Sequence, residues 1–267
     1  MNKRSKREPL LFVASTYLFS LITWGSLILM NKSPDSGAGL FLLYLLGGLS
    51  PTIVALLLPL RAAKDERKAY YRRYFNFKTA LLWYVLPVVV ALAMKFAGIG
   101  VLQLFFRESL QPKSLQPWYM IFPMFLQMII GGGLEEIGWR GVLVHRYQEK
   151  NTVLVALVVG VIWACWHIPL FFIQGVSQYQ TSFLPFFVQV IGLSLVTAVL
   201  YIRSQSAVPC IIFHAMVNAL SAMGSFFEGT PTANLVTDIA KYAVIVLFFL
   251  IYVRKPAPAK EVQAAES

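Results

Sequence analysis

Residues 118–146 read WYMIFPMFLQMIIGGGLEEIGWRGVLVHR. The stretch exceeds the roughly 20 residues that carry a helix across a bilayer core. Its first half is an almost unbroken apolar run. Its second half holds a run of three glycines, two adjacent carboxylates and, four residues beyond the second of them, Arg140. An ionisable group inside a span costs about 2.5–3.5 kcal/mol on insertion scales, and such groups mark function. The reading is a membrane helix with a polar site built into it.

Seven further stretches have the same apolar character: 10–30, 38–60, 79–106, 152–173, 183–203, 207–228 and 237–253. None alternates as a barrel strand would. The expected fold is therefore all-α, a polytopic membrane helical bundle of about eight transmembrane helices, in one membrane-embedded domain over 1–267. The composition agrees. Of 267 residues 58% are hydrophobic and 13% charged, against about 25% charged in a soluble domain. This excludes a disordered chain, and two cysteines exclude a disulfide scaffold. Cys165 and Cys210 fall in or at the end of spans and read as buried small hydrophobes. The first apolar stretch is too long for a signal-peptide core and no small-residue cleavage site follows it, so an uncleaved first span is expected.

The formal net charge of +11 is mostly a topology signal. Lys3, Arg4, Lys6 and Arg7 precede the first span. Arg61, Lys64, Arg67, Lys68, Arg72, Arg73 and Lys78 fill the second connection. Arg146, Lys150 and Arg203 border later even-numbered connections, and Arg254, Lys255 and Lys260 follow the last span. With eight spans all of these lie on one side. The other side has Lys32, Arg107 and Lys113. The positive-inside rule then predicts a multi-pass protein of the cell membrane with both termini cytoplasmic. The 61–78 connection is expected to lie on anionic headgroups, with membrane lipids and no nucleic acid as its partners. Tyr70, Tyr71 and Tyr74 suit an interfacial belt.

Few polar groups remain inside spans. Glu136 and Arg140 are four apart on one helical face and can pair. Glu135, about 100° around, shares its face with Trp139 instead and is left to face a cavity. The glycines at 131–133 either admit a neighbouring helix or loosen this one. His167 lies on the 152–173 span, where Pro169 predicts a kink just beyond it. His214 and Asn218 project from one face of the 207–228 span. His145, at the end of the 118–146 span, reads as solvated or interfacial. From the rise per residue, Glu135, His167, His214 and Asn218 fall at depths that allow them to meet.

A carboxylate and an imidazole can together deprotonate water, while a second imidazole and an amide can donate to an oxyanion. Alternatively Glu135, His167 and His214 could hold a divalent metal such as zinc, which also activates water. Both routes hydrolyse an amide. The chain has no HExxH metalloprotease signature and no GxSxG elbow.

Glu135-Glu136-x-x-x-Arg140, then His167, then His214-x-x-x-Asn218 resemble the three motifs of the CPBP family, the CAAX-protease and bacteriocin-processing (Abi) intramembrane proteases. The resemblance covers about 118–222. It implies a membrane-embedded endopeptidase in which Glu135 and His167 activate water, His214 and Asn218 stabilise the oxyanion, and Glu136 and Arg140 support them. One departure is Trp163, where the family commonly has Phe four residues before its histidine. Accounts of the family divide between a metalloprotease and a metal-free glutamate mechanism, and the sequence leaves the cofactor open. The expected partner is a peptide or protein substrate at the membrane. Two other readings stand beside this one. One is a non-enzymatic membrane immunity or scaffold protein that retains the motif. The other is a proton-coupled transporter, which the absence of mirrored halves disfavours.

Overall fold

The computed structural model describes residues 3–106, 116–224 and 230–253. Every regular element among them is helical. Arg107, Lys113, Arg254, Lys255 and Lys260 of the charge pattern lie outside the described residues.

The first helix, α1, runs Lys3–Met30. It ends at Asn31, whose φ of 52° is the left-handed conformation that stops helices. The second apolar stretch is broken. Helix α2, Ala38–Gly48, and α3, Ser50–Leu57, meet with Leu49 between them, and the two halves bend by 59°. Pro51 in the first turn of α3 lacks the N–H that a continuous helix would need. The basic helix α4, Lys64–Tyr74, follows, then α5, Leu82–Phe105.

The span quoted at the outset is not one regular helix. Helix α6, Ile121–Ile130, stops at Gly131. A 3₁₀ turn covers Gly133–Glu135, α7 covers Glu136–Gly138, a π-helix covers Trp139–Val144, and α8 covers His145–Tyr147. π-turns inside helices recur at functional sites. Next comes α9, Thr152–Trp166, capped by the Asn151 side chain, which accepts from the Leu154 N–H at 3.1 Å. It passes into a 3₁₀ helix at Ile168–Phe172, with Pro169 in its first turn. Just after His167, where Pro169 predicts a kink, the α-helix gives way to the 3₁₀ helix. The last three are α10, Phe183–Ser204, α11, Val208–Ala222, and α12, Pro231–Val253.

Among the described residues six helices are long and apolar enough to cross a bilayer, and the bent α2–α3 pair makes a seventh. The eighth apolar segment, α11, has 15 residues and spans only about 22 Å. It is shorter than the 207–228 stretch expected from the sequence. It lies inside the bundle, between α5, α6 and α10, where a helix need not reach both surfaces.

Aromatic packing holds the centre. Trp24 lies 4.7 Å from Trp166, Trp166 lies 5.7 Å from Trp139, and Trp139 lies 5.5 Å from Phe12, centroid to centroid. At one end of the bundle α4 is tied to α1: the Tyr70 hydroxyl donates to Glu8 Oε2 at 2.6 Å, and Arg73 lies 3.7 Å from Glu8. Burial, and then the Glu8 hydrogen bond, push the Tyr70 phenol up to about 12, so it remains a donor at neutral pH.

Candidate active site

The break in the quoted span positions the carboxylates. A Cβ at Gly132 would lie 2.7 Å from Asn218 Nδ2 and 3.0 Å from His214 Nε2, so only glycine allows α11 this close. The neighbouring carbonyl of Leu134 accepts from the Thr52 hydroxyl at 2.7 Å. In the tighter 3₁₀ turn Glu135 swings away from Trp139. Its Oε2 accepts instead from Trp163 Nε1 at 2.8 Å, while Trp139 packs on Phe12 and Trp166.

Glu136 and Arg140 pair at 3.0 Å, both fully buried. Glu136 also accepts from His214 Nδ1 at 3.0 Å. A buried carboxylate without partners would be very costly. Here one oxygen faces a guanidinium and the other an imidazole. The Arg140 guanidinium lies 4.4 Å from the Trp163 ring centroid, a cation–π distance.

His167 is held by its own helix. Its backbone N–H bonds to Ala164 O, three residues back, which leaves Trp163 O free to accept from His167 Nδ1 at 2.8 Å. Because Nδ1 faces a carbonyl it must carry the proton. The neutral ring therefore presents Nε2 as an acceptor. Nε2 lies 3.9 Å from Glu135 Oε2, too far for a direct hydrogen bond. The ring is clamped by Trp166 at 4.6 Å and Phe186 at 5.0 Å. His214 is fixed in the same manner: Nδ1 on Glu136, ring 5.2 Å from Trp163, and Nε2 turned toward Gly132.

Glu135, His167, His214 and Asn218 all line one cavity of about 150 Å³. Glu136 and Arg140 stand behind it and hold it together. His145 is elsewhere, half-buried with Nδ1 2.9 Å from the Tyr201 hydroxyl. Cys165 and Cys210 are both free. The sequence reading missed Trp163 as a hydrogen-bond donor, and also Tyr44, Gln178 and Gln189, which line the cavity too. Gln189 had a signal, since it is an amide seven residues into an apolar span. Gln178 lies in a loop and had none.

Among the described residues no group of three or more His, Cys, Asp and Glu side chains is placed to share an ion. Both histidines engage their Nδ1 atoms and keep Nε2 toward the cavity, while Glu135 Oε2 is taken by Trp163. These side chains, as arranged, do not form a metal cage.

One membrane-embedded cavity thus gathers a carboxylate, two imidazoles and an amide. Residues 116–220, which hold all of these groups, match the family model described as type II CAAX prenyl endopeptidase Rce1-like. The chain is also 24% identical over 258 residues to CAAX prenyl protease 2 of Methanococcus maripaludis, covering 91% of this chain and 94% of that one. The resemblance read from the motifs is borne out. With it the comparisons support peptidase activity in a multi-pass membrane protein, and hence a peptide or protein substrate in a lipid environment.

Proposed function

We propose that the protein is an intramembrane endopeptidase that cleaves a peptide bond with a water activated by Glu135 and His167. The observation that carries this reading is the facing pair of acceptors, Glu135 Oε2 and His167 Nε2, 3.9 Å apart on one cavity wall. Two acceptors cannot bond each other, but one water can donate to both. In the attack the water oxygen forms the C–O bond while its proton passes to the Glu135 carboxylate. The carbonyl oxygen becomes an oxyanion. Asn218 Nδ2 donates to it, and so does His214 Nε2 when that nitrogen carries a proton. The C–N bond then breaks, and the proton held by Glu135 goes to the leaving nitrogen. Glu136 and Arg140 fix His214 and the turn.

Among the described residues that line the cavity, Glu135 is the only one of Asp, Glu, Lys and Arg. No Lys or Arg among them is offered to a terminal carboxylate, which suits cleavage within a chain. Both termini are assigned to the cytoplasm on the charge pattern.

The test uses reconstituted protein and a library of membrane-anchored peptides, CAAX-type sequences included. Glu135→Gln and His167→Ala should each lower cleavage by about 10²–10⁴-fold, the loss expected when a general base is removed, with the folded protein retained. Full cleavage by Glu135→Gln would overturn the mechanism. Partner binding that survives both substitutions, with no cleavage by the parent protein, would favour a scaffold.

A further inference from the structure

We propose that the cleft between α1 and α9 holds one anionic phospholipid, with an acyl chain laid between the two helices and the phosphate at Arg7 and Lys150. The helices are pinned together deep in the bundle, where the Tyr17 hydroxyl donates to Ile162 O at 2.5 Å. Before that pin they leave a cleft of about 410 Å³, within the range of small-molecule sites. Its walls are Leu10 and Val13 of α1 and Leu154, Val158 and Ile162 of α9, with Leu143 of the π-helix buried behind them. Leu10, Leu154 and Val158 are exposed, so an apolar occupant would cover side chains that the protein itself leaves uncovered.

Depth and charge choose the occupant. Leu10 to Tyr17 is about 10 Å along α1, and Leu154 to Ile162 about 12 Å along α9. One leaflet of hydrocarbon is about 15 Å deep, half of the bilayer core. The cleft therefore runs through most of one leaflet and is closed at its end by the Tyr17 hydrogen bond. A chain with a free end fits such a space, whereas a partner helix that crosses the bilayer does not. The apolar spans begin at Arg7 and Thr152, which puts the mouth at headgroup level. Arg7 is exposed and stands one turn before Leu10 on the same face of α1. Lys150 and Tyr147 are exposed and line the mouth from the α9 side. Arg146 lies on the same connection, with Glu149 as the neighbouring carboxylate. Glu8 is turned to Tyr70 and Arg73 instead. Arg7, Arg146 and Lys150 against Glu149 leave the mouth positive, which favours an anionic headgroup over a zwitterionic one. Lysine and arginine give phosphate oxygens charge-assisted hydrogen bonds, and a tyrosine hydroxyl suits the same level. A chain in the cleft would back the helix that presents Trp163 to the cavity.

The test reads lipid binding by the full chain purified in detergent. Phosphatidylglycerol, phosphatidylcholine with the same acyl chains, and inorganic phosphate are titrated separately. Native mass spectrometry reads the bound mass, and a thermal scan reads the unfolding midpoint. Phosphatidylglycerol should bind as a single molecule and raise the midpoint, at a concentration at least about tenfold below that needed with phosphatidylcholine. Phosphate should do neither. Val158→Trp puts an indole into the cleft from an exposed position and should abolish the binding, while Leu247→Trp, also exposed but on α12, should not. Arg7→Gln combined with Lys150→Gln should reduce phosphatidylglycerol to the level of phosphatidylcholine, and this pair decides the matter should Val158→Trp fail to fold. Equal binding of the two lipids by the parent protein, or an undiminished preference in the double variant, overturns the headgroup site. Binding that survives Val158→Trp overturns the cleft. A midpoint raised as much by phosphate alone makes the mouth a free-anion site and overturns the lipid.

Discussion

Trp163 meets the site through its indole nitrogen, its ring face and its carbonyl. The nitrogen donates to Glu135, the face covers Arg140 and His214, and the carbonyl orients His167. Phenylalanine, the residue the motif commonly carries here, would keep the wall and lose the donor. A hydrogen bond to a charged group is worth about 1.5–3 kcal/mol. Trp163→Phe should therefore lower kcat by about ten- to a hundredfold with KM little changed, checked by steady-state cleavage with reconstituted protein. An unchanged kcat would mean that the indole N–H does not position Glu135. Arg140 is a different case. Arg140→Met would leave Glu136 buried beside His214 alone, and breaking a buried pair costs about 3–5 kcal/mol. Thermal unfolding in detergent should show a lowered midpoint, and Arg140→Lys should recover little of it because an ammonium does not reproduce the guanidinium plane. These groups were visible in the sequence because polarity stands out on an apolar span. Which carboxylate oxygen faces which donor was not visible, because it depends on the turn type between Gly131 and Gly138.

Helix α11 carries His214 and Asn218 and stops about 22 Å from its start. Its last carbonyls need donors, and Lys95 of α5 supplies them: Nζ donates to Leu220 O at 3.1 Å and to Gly224 O at 3.0 Å. A lysine in the middle of an apolar span is thereby explained as the cap of a helix that ends inside the membrane. Lys95→Met should lower the unfolding midpoint and also reduce kcat, since Asn218 is one turn from the released end; Lys95→Arg should restore part of both. A stability loss with kcat intact would separate the cap from the site. Gly132→Ala strikes the site directly. Its Cβ would press on Asn218 and His214, so cleavage should fall steeply and the unfolding midpoint should fall with it. Hydropathy located the eight apolar segments but neither the bend at Leu49 nor the early stop of α11. Both are tertiary outcomes: hydropathy reports apolar length, whereas neighbouring helices decide whether that length is straight and reaches a surface.

The molecule is polarised along the membrane normal, with cations at one end and the cavity toward the other. Exchanging Arg67, Lys68 and Arg72 for glutamine should weaken the bias that orients the bundle. The check is the fraction of chains with α4 protected from protease in intact cells, which should drop from near complete to a mixture. Of the six tryptophans in the chain, Trp24, Trp163 and Trp166 line the cavity and Trp139 stacks behind them, all within 1% of full burial. The protein thus carries its own optical reporter. Its ultraviolet emission comes largely from indoles around the place where substrate and water meet. The Trp24–Trp166 pair, 4.7 Å apart and tilted by 44°, is close enough to couple their transitions in near-ultraviolet circular dichroism. Filling or draining the cavity should be readable as a change in colour and ellipticity, with no label attached.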